Sequence, residues 1–133
     1  MDVTGRCQCG AITYRASVDP EKVSICHCTD CQTFSGSAYR VAVPAPAETF
    51  KLLSGQPKIY VKTAESGDKR AQAFCANCGS AIYSSAVSNT PSYFLRVGAL
   101  EQRASLPPRR QIWCKSALPW SASLEGIPQL ARQ

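Results

Sequence analysis

With 133 residues, 44% of them hydrophobic and 18% charged, the chain has the size and balance of one ordinary globular domain. No apolar run approaches the roughly 18–20 residues that a membrane-crossing helix needs. The opening residues, Met1 to Arg6, carry neither the basic tip nor the apolar stretch of a secretion signal. These features predict a soluble, cytoplasmic protein. The formal net charge is +6, yet no dense basic stripe accompanies it. The closest is Arg109-Arg110 with Arg103 and Lys115 nearby, so neither nucleic acid nor membrane is expected as a partner.

In chain order, a C-x-C-G block at Cys7, Cys9 and Gly10 precedes a β-like run at residues 11–15, which ends before Asp19-Pro20. A C-H-C-x-x-C block follows at Cys26, His27, Cys28 and Cys31. Residues 29–35 have room for a turn or two of helix, with Thr29 or Asp30 as its cap. Residues 39–43 and 58–62 alternate or are β-branched and aromatic, and read as strands bounded by Pro44-Ala45-Pro46, Ser54-Gly55-Gln56-Pro57 and Ser66-Gly67-Asp68. A C-x-x-C-G block occupies Cys75, Cys78 and Gly79. Further strands are predicted at 93–97 and, after Pro107-Pro108, at 111–115. No 3.6-residue period runs long, and the stretch 121–133 is expected to drape over the surface. The fold class is therefore mainly β, a single domain over 1–133.

Eight cysteines without an export signal point to metal or redox chemistry rather than disulfides. A lone C-x-x-C is weak, but two separated pairs and a compact triplet supply the convergent soft donors that zinc takes. Glycine after Cys9 and after Cys78 suits a tight knuckle whose backbone N–H groups point at sulfur. Cys26, Cys28 and Cys31 are too close in sequence not to act together. The flanking pairs then complete each other as a closed, structural four-thiolate site: Cys7, Cys9, Cys75 and Cys78. The triplet keeps an open fourth position, the mark of a zinc that does chemistry. Two Zn²⁺ and seven thiolates would bring the formal +6 down to +3. His27, the only histidine, is expected to pack or support rather than ligate. Cys114, left over, reads as a buried thiol in the late strand.

A zinc held by three thiolates carries a local charge of −1, which makes it a poor source of hydroxide. It remains a soft acceptor for a substrate thiol. The chemistry predicted is thiol activation for attack on a small electrophile. The H-x-E and P-C-x-x-C of a nucleobase deaminase are absent.

The ordered blocks Cys7 to Gly10, Cys26 to Cys31 followed by Gly36, Phe74 to Ser80 and Ile112 to Trp120 resemble the glutathione-dependent formaldehyde-activating enzyme family over about residues 5–120. The resemblance implies a β-tent fold and two zinc ions. It implies a structural ion at Cys7, Cys9, Cys75 and Cys78 and a catalytic one at Cys26, Cys28 and Cys31. It also implies carbon–sulfur lyase activity, the reversible joining of glutathione and formaldehyde as S-hydroxymethylglutathione. Two positions depart from the family's pattern: Gln111 stands where histidine is expected before the Ile-Trp pair, and Gln32 where a basic residue often follows the third cysteine. Arg96, Arg109, Arg110 and Lys115 are the candidates to hold substrate carboxylates. Two other readings stand beside this one. One is a non-catalytic two-zinc interaction module in which Cys114 supplies an eighth sulfur. The other is an enzyme resembling methionine-R-sulfoxide reductases, with Cys114 as its reactive thiol.

Overall fold

The computed structural model describes residues 1–133. Ten strands form two sheets: β1 (Asp2–Arg6), β2 (Thr13–Ser17), β3 (Ser24–Cys26), β4 (Arg40–Pro46), β5 (Lys51–Ser54), β6 (Lys58–Thr63), β7 (Lys69–Phe74), β8 (Ala81–Ala86), β9 (Ser92–Arg96) and β10 (Arg110–Ile112). The smaller sheet runs β1-β2-β5 and the larger β10-β3-β4-β9-β8-β7-β6. All pairings are antiparallel except β10 with β3. The helix α1 (Thr29–Ser35) follows β3. None of the helices is long and apolar enough to cross a membrane.

Strand alternation divides the larger sheet into two faces with different chemistry. Val43 and Ala45 of β4, Ala73 of β7, Ile82 of β8 and Leu95 of β9 enter the core, where they meet Val3, Tyr14 and Ala16 of the smaller sheet. Each fully buried Val, Leu or Ile contributes about 1.5–3 kcal/mol there. Within the smaller sheet Gly5 pairs with Tyr14 so closely that a Cβ at Gly5 would fall inside the Tyr14 ring. The opposite face of the larger sheet carries Cys26, Arg40, Arg70, Gln72, Ser84, Phe94 and Arg96 and lines an open cleft. Register explains the grouping: Arg40 pairs with Cys26, Ala42 with Arg96, and Ser84 with both Phe94 and Gln72.

The mainly β expectation holds, with local corrections. The first predicted strand starts two residues late, because Cys7 N–H donating to Ile12 O (3.1 Å) and Gly10 N–H donating to Cys7 O (3.1 Å) close a turn first. The cap of α1 is Cys28, not Thr29 or Asp30: its sulfur accepts from Cys31 N–H at 3.3 Å. The last strand stops at Ile112, since Trp113 is left-handed (φ 57°) and Cys114–Ser116 turn as a 3-10 segment. Cys114 is accordingly exposed, not buried in a strand.

Candidate metal centre and cleft

The two C-G blocks sit in the turns of two hairpins from different sheets. Cys7 and Cys9 lie between β1 and β2; Cys75 and Cys78 lie between β7 and β8. Gly10 (φ 80°) and Gly79 (φ 77°) turn the backbone through the left-handed region, as the knuckle expectation required. In the second turn Cys75 N–H donates to Ser80 O at 2.9 Å and Gly79 N–H to Cys75 O at 2.8 Å. Gln8 N–H donates across to Ser80 Oγ at 2.9 Å, joining the two turns. The result is four thiols whose sulfurs all lie within 4.8 Å of one another, with Cys7···Cys9 at 3.6 Å and Cys9···Cys75 at 3.8 Å. Ile12 N–H donates to the Cys7 sulfur at 3.2 Å. The Ser80 hydroxyl, 3.2 Å from Cys78, holds that thiol down to about 5.

Cys26, Cys28 and Cys31 form a second cluster, again within 4.8 Å. Cys26 ends β3, Cys28 caps α1 and Cys31 lies one turn in, so a strand end and a helix start aim three sulfurs at one point. A hydrogen bond from Cys31 holds the Cys26 thiol down to about 7, and the same bond, with burial, pushes Cys31 up. Soft donors at this spacing, with backbone N–H groups on sulfur, fit a thiophilic metal ion in both clusters.

The triplet opens onto the cleft, about 1090 Å³ in volume. All three of its sulfur-bearing residues line that space, whereas only Cys7 of the quartet does. Arg40 stands close enough to Cys26 and Cys31 to favour their thiolates, and the two cysteines in turn favour the charged form of Arg96. Burial, then the neighbouring Arg40, pulls Arg96 down to about 10. The one acidic residue in the cleft lining, Glu101, is engaged by Thr4 Oγ1 at 2.6 Å.

Several expected site residues lie elsewhere. Arg109 pairs with Glu21 at 3.2 Å, Lys115 with Glu65 at 3.9 Å, and neither they nor Arg110 line the cleft. Only Arg96 of the four candidates does. Cys114 belongs to neither sulfur cluster. His27 is buried, edge-on to Tyr39, with Nε2 2.7 Å from Gln111 Oε1. Gln32 donates through Nε2 to His27 O (2.8 Å) and Ser116 O (3.0 Å), so it clips the triplet segment to the late turn instead of facing a ligand. Arg40 and Arg70 went unpredicted. The sequence carried no distinct signal for them, because a charged residue in a strand such as RVAVPAP or KRAQAF reads as a solvent-facing position.

A profile of the glutathione-dependent formaldehyde-activating enzyme family matches residues 2–116. An uncharacterized lyase of Schizosaccharomyces pombe is 29% identical over 97 residues, 68% of this chain. The chain spans 63% of the length of that curated relative. The crystal structure of a Rhodobacter sphaeroides protein superposes with a TM-score of 0.63 at 20% identity, over 81% of this chain and 98% of that one, a likeness of fold. Because the profile runs through residues 2–116, nearly the whole sequence, the chain belongs to the glutathione-dependent formaldehyde-activating enzyme family.

Proposed function

We propose that the protein is a zinc-dependent carbon–sulfur lyase that joins a thiol, glutathione or a similar one, reversibly to formaldehyde or a related small electrophile. In this reading Cys7, Cys9, Cys75 and Cys78 hold a structural Zn²⁺, and Cys26, Cys28 and Cys31 hold the catalytic one. A Zn²⁺ ion at the triplet supplies a soft Lewis acid that keeps an incoming thiol deprotonated at neutral pH.

The single observation that carries the reading is the asymmetry of the two clusters: the triplet alone has every member on a cleft large enough for a tripeptide-sized ligand. Cys26 is fixed by its strand pairing with Arg40, and Cys28 and Cys31 by the start of α1, so the three donors are ordered before a ligand arrives. The substrate sulfur attacks the aldehyde carbon, the carbonyl electrons move to oxygen, and that oxygen takes up a proton while the thiol proton leaves. Glu101, which accepts from Thr4 at one carboxylate oxygen, is the one acidic residue in the cleft lining and no histidine lines it.

Exchange spectroscopy on mixtures of glutathione and formaldehyde tests the proposal. The wild type should contain two equivalents of zinc and accelerate formation and breakdown of the adduct. Cys28→Ser should keep one equivalent and the fold but lose the acceleration. Full activity in Cys28→Ser, or one equivalent of metal in the wild type, refutes it.

A further inference from the structure

On the cleft face of the larger sheet, three guanidinium groups from three different strands converge: Arg40 of β4, Arg70 of β7 and Arg96 of β9. None has a carboxylate partner; the ion pairs of the protein are Lys22–Asp19, Lys62–Asp30, Arg109–Glu21 and Lys115–Glu65. Arg40 Nε and Nη1 and Arg96 Nη1 are shielded from solvent and have no hydrogen-bond partner at all. Arg96 Nη2 finds one neutral acceptor, Gln72 Oε1, at 2.9 Å. Arg70 makes no side-chain hydrogen bond and lies over the Phe94 ring, its carbon centre 5.5 Å from the centroid, which leaves the edge of its fork free.

Buried donors without partners are costly, and like charges gathered together are costlier. The triplet with a Zn²⁺ ion would offset one of the three positive charges, because three thiolates and one Zn²⁺ sum to −1. Two positive charges and at least three orphaned N–H donors remain. Planar forks of this kind match the two oxygens of a carboxylate.

We infer that Arg40, Arg70 and Arg96 form a carboxylate-binding subsite beside the Cys26, Cys28 and Cys31 cluster, so that one reactant brings a carboxylate into the cleft. The inference rests on the thiol-lyase reading for its reaction, but its binding claim stands separately. The carboxylate comes either from the thiol, as in glutathione, or from the electrophile, as in a 2-oxo acid such as glyoxylate.

Two measurements on the zinc-loaded protein test it. In the first, calorimetry with glutarate as an unreactive probe should show binding to the wild type that weakens at least tenfold in Arg96→Gln and in Arg70→Gln, and recovers in part in Arg96→Lys. Zinc content and thermal unfolding report whether each variant is folded. If Arg96→Gln is not, Arg70→Gln decides, because its side chain lies at no hydrogen-bonded position. No glutarate binding to the wild type, or equal binding to folded Arg70→Gln, overturns the subsite.

In the second, kcat/KM is compared between charged and neutral reactants. A fall of tenfold or more in the ratio of glutathione to N-acetylcysteamine, with formaldehyde, assigns the carboxylate to the thiol. The same fall in the ratio of glyoxylate to formaldehyde, with N-acetylcysteamine, assigns it to the electrophile. Both ratios unchanged in a folded variant overturns the inference. If the wild type catalyses no thiol–aldehyde exchange, the lyase reading fails, and the calorimetry alone decides the subsite.

Discussion

Gln32 gives the sharpest test of how the triplet is held. Its Nε2 donates to two main-chain carbonyls, His27 O at 2.8 Å and Ser116 O at 3.0 Å, and so joins residues 84 positions apart in sequence. Gln32→Ala removes both bonds and leaves two partly buried carbonyls unpaired. At about 0.5–1.5 kcal/mol net for each bond, the loss is about 1–3 kcal/mol. For a chain of this length a kilocalorie is worth about 4 °C, so unfolding of the zinc-loaded protein should fall by about 4–12 °C. The same clip braces the segment that carries Cys26, Cys28 and Cys31, and loss of such outer support lowers metal affinity by about 10–100-fold. Differential scanning calorimetry and competition with a chromophoric chelator read the two effects. One zinc equivalent should be released earlier than in the wild type while the other is unmoved. Gln32→Lys, which retains a donor able to reach both carbonyls, should keep most of the stability. A Gln32→Ala variant that unfolds within a degree of the wild type and surrenders both ions at the same chelator concentration would refute the clip.

Gly5→Ala should destabilise by at least about 1–3 kcal/mol, because its Cβ enters the Tyr14 ring in an already packed contact; a urea midpoint equal to the wild type's would show that the ring can step aside. In the zinc-loaded protein iodoacetamide should label Cys114 alone, and Cys114→Ser should keep two zinc equivalents and full activity. Loss of one equivalent in that variant would make Cys114 a ligand after all. Progressive chelation should distinguish the clusters: removing the triplet's ion should leave cooperative unfolding intact, whereas Cys75→Ser should abolish it, since the quartet joins hairpins of two sheets. Cooperative unfolding of Cys75→Ser at the wild-type temperature would oppose the structural role.

The cysteines were legible because metal-ligand spacing is a local property, and proximity in sequence forces Cys26, Cys28 and Cys31 together before any fold is known. Strands rich in β-branched and aromatic residues, such as 58–62 and 93–97, were legible for the same reason. β7 (KRAQAF) and β8 (AIYSSA) were not: small residues suit the close packing of those strands, yet carry almost no β signal of their own. The end of β10 was hidden because nothing in Ile112-Trp113-Cys114 announces a left-handed tryptophan. Gln32 and Gln111 looked like departures from a ligand-binding pattern. Both instead serve the framework, one through main-chain carbonyls and the other through His27, contacts that depend on chain folding across 84 residues.

The arginines were illegible for a deeper reason. On a strand, a charged residue among small apolar ones ordinarily marks the solvent side, and such a position is usually a screened surface charge. Here α1 and the triplet line one cleft together with the outer face of the larger sheet, so a position that reads as surface becomes a cleft wall. The cleft that gathers Cys26, Cys28 and Cys31 also contains Arg40 and Arg96, whose guanidinium groups are partly shielded from solvent. A change that lifts α1 away from the sheet would carry Cys28 and Cys31 away from Cys26 and widen the cleft beside the arginines, which ties any anion selectivity of the cleft to the integrity of the cysteine triplet.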